Sequence, residues 1–203
     1  MKTKPKIITI GGLPGSGKTT LADALAAHMT KHGTKAVSID SDRVRKELWG
    51  YEETARLPEE AYTWEATKHV IFETQNQVQD ALNQEITVIQ SAAFMTEHSR
   101  QKQEEYAETI DTDHIGLFLT CDTEELEHRI TLRTEKNDSA SDAGIDILKK
   151  FLKTYKEGHI QDWININANK TQDKVLSDVL KILKIPSHMH SLSKPSRFPK
   201  RSL

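Results

Sequence analysis

The sequence has few of the features that mark secreted, zinc-thiolate or membrane proteins. Its 203 residues include a single cysteine, Cys121, which excludes an intramolecular disulfide framework and a thiolate zinc site. Uninterrupted apolar stretches are only a handful of residues long, far below the roughly 20 needed to cross a bilayer. The basic N-terminus is followed by a short strand-like run and glycines, not by the apolar core of a signal peptide. These absences predict a cytoplasmic protein with no membrane partner.

The charges are nearly balanced in number but unevenly distributed along the chain. The formal net charge is -2 at pH 7, so no global field draws the protein onto nucleic acid. The C-terminal residues 186–203 carry three prolines and no acid, and their basic residues are Lys194, Arg197, Lys200 and Arg201. This composition predicts a folded domain over residues 1–185 and a disordered basic tail over 186–203. Such a tail is either a solvated chain end or a segment that binds RNA, a membrane or a partner.

Short β-branched runs alternate with longer helical patterns through the body of the chain. The apolar spacing predicts strands over 6–10, 36–39, 86–89, 115–119 and 163–166, and helices over 19–31, 42–49, 59–83, 97–109, 123–133, 145–156 and 172–183. Strands that alternate with helices predict βαβ units, and therefore an α/β fold with a five-stranded parallel sheet covered on both faces. Such sheets bind ligands at the carboxyl ends of their strands, so we expect functional residues just after each strand.

A glycine-rich segment follows the first predicted strand and opens the first helix. Residues 12–19 read GLPGSGKT, which matches the pattern G-x-x-x-x-G-K-[ST] of a phosphate-binding loop. Glycines let the backbone wrap closely around a polyphosphate, and the following helix presents free N–H groups. We expect Lys18 to reach the phosphates of ATP and the Thr19 hydroxyl to hold Mg²⁺. The predicted ATP contacts are Gly12, Leu13, Pro14, Gly15, Ser16, Gly17, Lys18, Thr19 and Thr20.

Acidic and basic residues follow the second predicted strand. Asp42 and Arg45 are three positions apart, so they share one face of a short helix. A phosphoryl-transfer enzyme needs a carboxylate to accept the proton of the attacking hydroxyl, and an arginine can anchor an anionic acceptor. We therefore predict Asp42 as the general base and Arg45 as a substrate anchor. The alternative is that Asp40 or Asp42 only caps the helix and that Arg45 is a surface residue.

Together, GLPGSGKTTLADAL at residues 12–25 and SIDSDRVRKELWG at residues 38–50 resemble the small P-loop kinase family. That family includes zeta-toxin-like and AAA-type kinases, the kinase domain of polynucleotide kinases, and chloramphenicol phosphotransferase. The resemblance extends along most of residues 6–185. It implies the three-layer P-loop NTPase fold with a small helical lid, ATP and Mg²⁺ as cofactors, and the base and anchor roles of Asp42 and Arg45.

The third predicted strand departs from the pattern of this family. Where the family often has an aspartate at the end of the strand, this chain has Ser91. We expect either that Asp40 and Asp42, with water, complete the Mg²⁺ shell around Thr19, or that the metal is held more loosely. Gln90 and Ser91 are predicted to hydrogen-bond a substrate, and the alternative for Ser91 is an ordinary residue at a strand end.

Two arginines on one predicted helix resemble the lid of the family. Arg129 and Arg133 are four positions apart and point the same way, and a polar segment over 134–144 follows them. A closing arginine stabilises charge on the transferring phosphoryl group and helps to exclude water. Arg129 could instead lie against the adenine, and the loop over 167–171 is a second adenine contact by resemblance only.

These residues together predict an ATP-dependent kinase that phosphorylates a hydroxyl group. The acidic body without a basic stripe favours a small-molecule or nucleotide-like acceptor over a polynucleotide. A zeta-type toxin acting on a sugar nucleotide is one alternative. A second alternative is a nucleotide-dependent ATPase or switch without an acceptor, and the missing strand-end carboxylate favours it. Aromatic residues either line an acceptor pocket or pack a helical insertion, and they are Trp49, Tyr51, Tyr62 and Trp64.

Overall fold

The computed structural model describes residues 5–136, 141–155 and 160–186. A single parallel sheet runs through these residues in the order β2-β3-β1-β4-β5. Its strands are β1 (Ile7–Gly12), β2 (Ala36–Asp40), β3 (Thr87–Ser91), β4 (His114–Thr120) and β5 (Ile164–Asn167). The predicted α/β fold with a five-stranded parallel sheet is confirmed. Residues 187–203, nearly all of the predicted basic tail, lie outside the described residues.

Helices cover both faces of the sheet in the described parts of the chain. They are α1 (Lys18–Lys31), α2 (Ser41–Leu48), α3 (Trp64–Asn83), α4 (Glu97–Thr109), α5 (Thr123–Lys136), α6 (Ile145–Thr154) and α7 (Gln172–Ile182). Successive strand residues point to opposite faces, so Ile8 packs with α1 and α7 while Ile7 packs with α3 and α4. No helix among the described residues has the length and apolar character needed to span a membrane.

The central strand β1 is buried on both faces along its whole length, as its apolar sequence IITIGG predicts. It pairs with β3 on one side and with β4 on the other. The chain therefore builds one half of the sheet through β2 and β3, and the other half through β4 and β5. In open parallel sheets a crevice forms at this reversal, beyond the carboxyl ends of the strands. The loop after β1 opens into that crevice.

The predicted helix over 59–83 is divided in the structure. A short 3-10 helix spans Glu59–Tyr62, and α3 begins only at Trp64. The backbone of Thr63 is extended, and its hydroxyl accepts a hydrogen bond from the Ala66 N–H, which starts a new helix. The apolar spacing did not reveal this break, because a threonine cap is compatible with a continuous helical pattern.

Strand β3 continues two residues beyond its predicted end at Ile89. Its extension is paired with the end of β2, where Asp40 lies opposite Ser91. Polar residues at the end of an apolar run give no sequence signal that the strand continues. Here β3 continues because its backbone pairs with the neighbouring strand β2. The longer β3 brings Ser91 to the edge of the sheet where the candidate site lies.

Candidate active site

A cleft of about 1760 Å³ lies at the carboxyl ends of the strands, between the loop after β1 and helices α3 to α6. Pockets for one small ligand commonly measure about 300–1,000 Å³, so this cleft has room for two molecules side by side. Most of the predicted site residues line it, namely Pro14, Gly15, Ser16, Gly17, Lys18, Thr19, Thr20, Asp40, Asp42, Arg45, Arg129 and Arg133. Gly12, Leu13 and Ser91 are buried behind its surface.

The loop from Gly12 to Gly17 has positive φ angles at Gly12, Gly15 and Gly17, which favour glycine. Gly15 has a φ of 83°, and a Cβ added there would lie 3.0 Å from the Leu126 carbonyl oxygen. Helix α1 starts at Lys18 without a side-chain cap, so the N–H groups of its first turn are available to an anion. The buried Ser16 hydroxyl has no partner among the described residues. A close-fitting loop with unused donors suits a polyphosphate.

Lys18 reaches from the start of α1 back across this loop. Its ammonium group donates a hydrogen bond of 3.0 Å to the Leu13 carbonyl oxygen. Burial lowers the pKa of Lys18, and the nearby Asp42 and Asp40 carboxylates oppose that effect. Lys18 is thus a cation next to free backbone donors, where a phosphate group in the loop could pair with it.

Asp40 joins three elements at the end of β2. One carboxylate oxygen accepts hydrogen bonds from the Asp42 and Arg43 N–H groups, so Asp40 caps α2 as the alternative interpretation predicted. The other oxygen accepts from the Thr19 hydroxyl at 2.9 Å and from the Ser91 hydroxyl at 2.5 Å. Asp40 therefore lies beside the phosphate loop while it also caps the helix.

The pair of Thr19 and Asp40 fits the chemistry of a magnesium site. Mg²⁺ binds hard oxygen ligands and usually keeps several waters, together with one or two carboxylates and substrate phosphates. No cluster of three or more His, Cys, Asp or Glu side chains that could hold a metal occurs in residues 5–136, 141–155 and 160–186. A metal here would depend on Thr19, Asp40 and oxygen atoms of the nucleotide and of water. Ser91 contacts Asp40 and is buried away from the cleft, so its predicted substrate contact requires a rearrangement.

Asp42 lies in the first turn of α2, in the middle of the cleft wall. Burial and the neighbouring Asp40 carboxylate raise its pKa. A hydrogen bond from Ser141 and the charges of Lys18 and Arg45 only partly offset these effects. A carboxylate with a raised pKa is a better proton acceptor than an ordinary surface aspartate, which suits a general base.

Arg45 lies one turn further along α2, and its side chain is buried. Its guanidinium donates to the Ala61 carbonyl oxygen at 2.5 Å and lies over the Tyr62 ring, 4.9 Å from the ring centroid. The Nε atom of Arg45 has no hydrogen-bond partner. Arg45 is therefore a cation in a fixed position beside the candidate base Asp42, and it has an unused hydrogen-bond donor. This arrangement suits the binding of an anionic group.

The two lid arginines occupy different ends of the cleft, although they are one turn apart on α5. Arg129 donates to the Glu125 carboxylate at 2.7 Å and to the Ala168 carbonyl oxygen at 2.9 Å, in the loop after β5. Arg133 donates to the Ala143 carbonyl oxygen, and its charge lowers the pKa of Lys18. Arg133 is therefore near the phosphate end, whereas Arg129 borders the loop predicted to contact adenine.

The loop after β5 is held by its own asparagines. The side-chain oxygen of Asn169 accepts from the Asp122 N–H at 2.9 Å and from the Cys121 thiol at 3.1 Å, which ties the loop to the end of β4. Asn167 accepts from the Asn169 N–H at 2.8 Å. Residues 168–173 line the cleft beyond Arg129, so the predicted adenine contacts face the same cavity.

Asp142 is a site residue whose contacts the sequence did not reveal. It lies within the segment over 134–144 that was predicted as the lid, and it accepts hydrogen bonds from the Leu57 N–H at 2.8 Å and from the Tyr62 hydroxyl at 2.7 Å. It also pairs at 3.0 Å with Lys46, whose side chain is almost completely buried. Burial acts to raise the pKa of Asp142, but these three partners outweigh it and the pKa is lowered. The residue therefore joins the lid to the wall of the cleft formed by residues 46–62.

Replacing Asp142 with alanine is expected to lower the free energy of unfolding by about 3 kcal/mol, because the change leaves the buried Lys46 ammonium group without its carboxylate. Urea denaturation measures this loss. Asp146→Ala, in the exposed first turn of α6, is the matched control and should cost about 0.5 kcal/mol or less. The double variant with Asp142→Ala and Lys46→Met should recover most of the lost free energy of unfolding. If the free-energy changes of the two single variants simply add, the pairing of Lys46 with Asp142 is contradicted.

Comparisons with known proteins identify the family and the fold of the chain. The protein family described as AAA domain matches residues 7–157. The structure of the Mycobacterium tuberculosis APS kinase CysC in complex with AMPPNP and APS is similar at 17% identity, with a TM-score of 0.66, 89% of this chain and 98% of that chain covered. A gluconokinase from Sinorhizobium meliloti 1021 is similar at 18% identity, with a TM-score of 0.52 and coverages of 91% and 99%.

No curated protein matches the chain at a significant level. At 14–19% identity the structural similarities establish the fold but no substrate. The family match covers well over half of the chain and includes the phosphate loop, Asp42, Arg45 and both lid arginines. The chain therefore belongs to the AAA domain family and has the fold of the small P-loop kinases.

Proposed function

We propose that this protein is an ATP-dependent kinase that phosphorylates a hydroxyl group of a small-molecule or nucleotide-like acceptor. The observation that carries the proposal is the position of Asp42. It shares one cleft with the phosphate loop, with Lys18 and with Arg45, and its environment raises its pKa. A carboxylate placed in this way serves the acceptor hydroxyl and has no evident use in a protein that only binds a nucleotide.

Each residue of the cleft has a defined part in this reaction. The loop N–H groups and Lys18 bind the phosphates, while Thr19 and Asp40 would hold Mg²⁺. Bound Mg-ATP supplies the phosphoryl group and the charge neutralisation that its transfer requires. Asp42 accepts the proton of the acceptor hydroxyl, and Arg45 orients the acceptor. Arg133, next to the lid segment, lies where it would offset negative charge near Lys18.

Besides placing Arg133, the lid would exclude water from the cleft. Water is the competing acceptor in any kinase, so the site must close before transfer. Ser141 hydrogen-bonds Asp42, and Asp142 joins the lid to the residues around Tyr62. This arrangement supports a site that is covered on its acceptor side. An APS kinase and a gluconokinase share the fold at low identity, which supports a small-molecule acceptor without naming it.

Acceptor-linked ATP turnover tests the proposal. The full chain is incubated with Mg-ATP and with pools of candidate hydroxyl compounds, and ADP release is measured together with the phosphorylated product. We expect ADP release to depend on at least one pool. Equal ADP release with and without every pool would contradict the kinase and favour the nucleotide-dependent ATPase or switch, for which the absence of a strand-end carboxylate at Ser91 remains the argument.

A further inference from the structure

The acceptor side of the cleft is lined by polar side chains at core depth. Arg45 on α2, Thr74 on α3, Gln90 on β3 and Gln103 on α4 all line the cleft, and their exposed fractions are only 8%, 3%, 7% and 6%. Residues of these types are seldom so deeply buried, and buried polar groups are normally hydrogen-bonded. Gln90 and Gln103 contact each other, and Arg45 and Thr74 lie on α2 and α3, which pack together. We refer to these four side chains as the polar floor of the cleft.

The hydrogen bonds of this polar floor are incomplete. The Nε atom of Arg45 and the hydroxyl of Thr74 are buried without any hydrogen-bond partner. Gln103 donates to the Gln90 side-chain oxygen at 2.8 Å. That bond leaves the Gln103 carbonyl oxygen and the Gln90 amide nitrogen without another hydrogen bond to the described residues. An unsatisfied buried polar group costs about 1–3 kcal/mol, so its retention indicates a ligand that completes it.

The unused groups define the chemistry of that ligand. Hydroxyl and amide groups that both donate and accept are complementary to a molecule with several hydroxyl groups. Arg45 is complementary to a carboxylate or a phosphate, which it can bind with two parallel hydrogen bonds. The same cleft wall holds Asp42, which must face one hydroxyl of the acceptor. A neutral polyol would leave Arg45 without a charged partner, and an apolar molecule would leave the amides unpaired as well.

The aromatic side chains near the polar floor are already engaged, which disfavours a nucleobase. The Arg45 guanidinium lies over the Tyr62 ring, and the Tyr62 hydroxyl donates a hydrogen bond to Asp142. Phe94 packs against the Trp163 ring with a centroid distance of 5.2 Å. Trp64 is 65% exposed at the start of α3, and the Lys68 ammonium lies 5.7 Å from its ring centroid. Nucleobases are commonly held by stacking on free aromatic faces, and Tyr62, Phe94 and Trp64 each already have a partner at the ring.

We propose that the phosphoryl acceptor is a small polyhydroxylated anion, a compound of the sugar-acid or sugar-phosphate type. Arg45 binds its anionic group, and Thr74, Gln90 and Gln103 hydrogen-bond its hydroxyl groups. One further hydroxyl faces Asp42, loses its proton to that carboxylate and receives the phosphoryl group, while ADP leaves. This inference rests on the proposed kinase function and narrows its acceptor class.

Acceptor panels of matched size test the class. One panel contains four- to six-carbon aldonates, a second contains aldose phosphates, a third contains neutral sugars and polyols, and a fourth contains nucleosides and nucleotides. AMPPNP binding to the full chain is measured first by calorimetry, and ADP release with Mg-ATP is then measured with each panel. We expect turnover with the first or the second panel, which separates a carboxylate from a phosphate, and at least tenfold lower kcat/KM with the other two.

The variant Thr74→Val tests the polar floor itself. Valine has nearly the shape of threonine and removes only the unpartnered hydroxyl, so the melting temperature should not fall. The KM for the polyhydroxylated anion should rise about tenfold, the equivalent of one good hydrogen bond, with AMPPNP binding unchanged. Thr131→Val, on the exposed face of α5 and outside the cleft, is the control and should leave KM unchanged.

The outcomes separate the two levels of the argument. Failure of AMPPNP to bind would overturn the proposed kinase function. AMPPNP binding without turnover in both anion panels, or turnover confined to nucleosides or neutral polyols, would overturn the acceptor class and leave the kinase fold and nucleotide site intact. An unchanged KM in Thr74→Val would likewise overturn the role of the polar floor.

Discussion

Lys18→Ala is expected to abolish ATP turnover. The ammonium group of Lys18 lies over the loop, next to the backbone donors that would bind a polyphosphate. Removing one preorganised charge or donor from such a site typically lowers kcat by about 10²–10³-fold, and here the nucleotide would also bind more weakly. Initial rates of ADP release, together with AMPPNP binding by calorimetry, measure both effects.

Folding defects do not account for the expected loss. Burial lowers the pKa of Lys18, which means that its charged form destabilises the free protein. The alanine variant should therefore have a melting temperature no lower than that of the unchanged chain. Lys31→Ala, on the exposed end of the same helix, is the control and should retain full turnover. Turnover of Lys18→Ala within a few fold of the unchanged chain would refute the phosphate role of this lysine.

Asp42→Asn is expected to lose phosphoryl transfer while it keeps nucleotide binding. Asparagine preserves the shape of the side chain but cannot accept the proton of the attacking hydroxyl. The loss of a general base typically costs about 10²–10⁴-fold in rate. Product formation in single-turnover experiments, with AMPPNP binding measured in parallel, distinguishes this loss from weak binding. Unimpaired transfer by the asparagine variant would refute the assignment of the base.

The raised pKa of Asp42 adds two pH-dependent expectations. As the pH falls, kcat/KM should decline at a higher pH than an ordinary aspartate would cause, because the base becomes protonated sooner. A raised carboxyl pKa in the folded state also means that stability declines as the pH rises from 3.8 through that raised pKa. Asp42→Asn should therefore melt at a higher temperature than the unchanged chain at neutral pH, and this gain should vanish in acid.

Much of the architecture could be predicted because its causes are local. The run IITIG next to a glycine-rich loop indicates a buried strand with a phosphate loop after it, since both signals lie within about ten residues. The break at Thr63 and the extension of β3 to Ser91 could not be predicted in this way. A helix cap competes with a continuous apolar stripe in the first case, and the neighbouring strand decides the pairing in the second.

The same distinction between local and long-range causes applies to the residues of the candidate site. Lys18, Thr19, Asp42 and Arg45 were predicted because each stands at a fixed distance from the end of a strand. Asp142 was expected only as one residue of the lid segment, and its contacts gave no comparable signal, since its partner Leu57 is 85 residues away along the chain. Thr74 and Gln103 of the polar floor were equally hidden, because they look like ordinary polar positions of surface helices until the packing buries them.

By itself, the sequence determined the fold class, the phosphate-loop motif and the residue types proposed to carry the chemistry, because strand hydrophobicity and loop spacing act between neighbours in the chain. Only the tertiary structure decided how those residues are used. It placed Ser91 against Asp40, separated Arg129 from Arg133, and buried four polar side chains in the wall of the cleft. Burial and charge proximity arise between elements that are distant in sequence, so neither can be read from the order of residues.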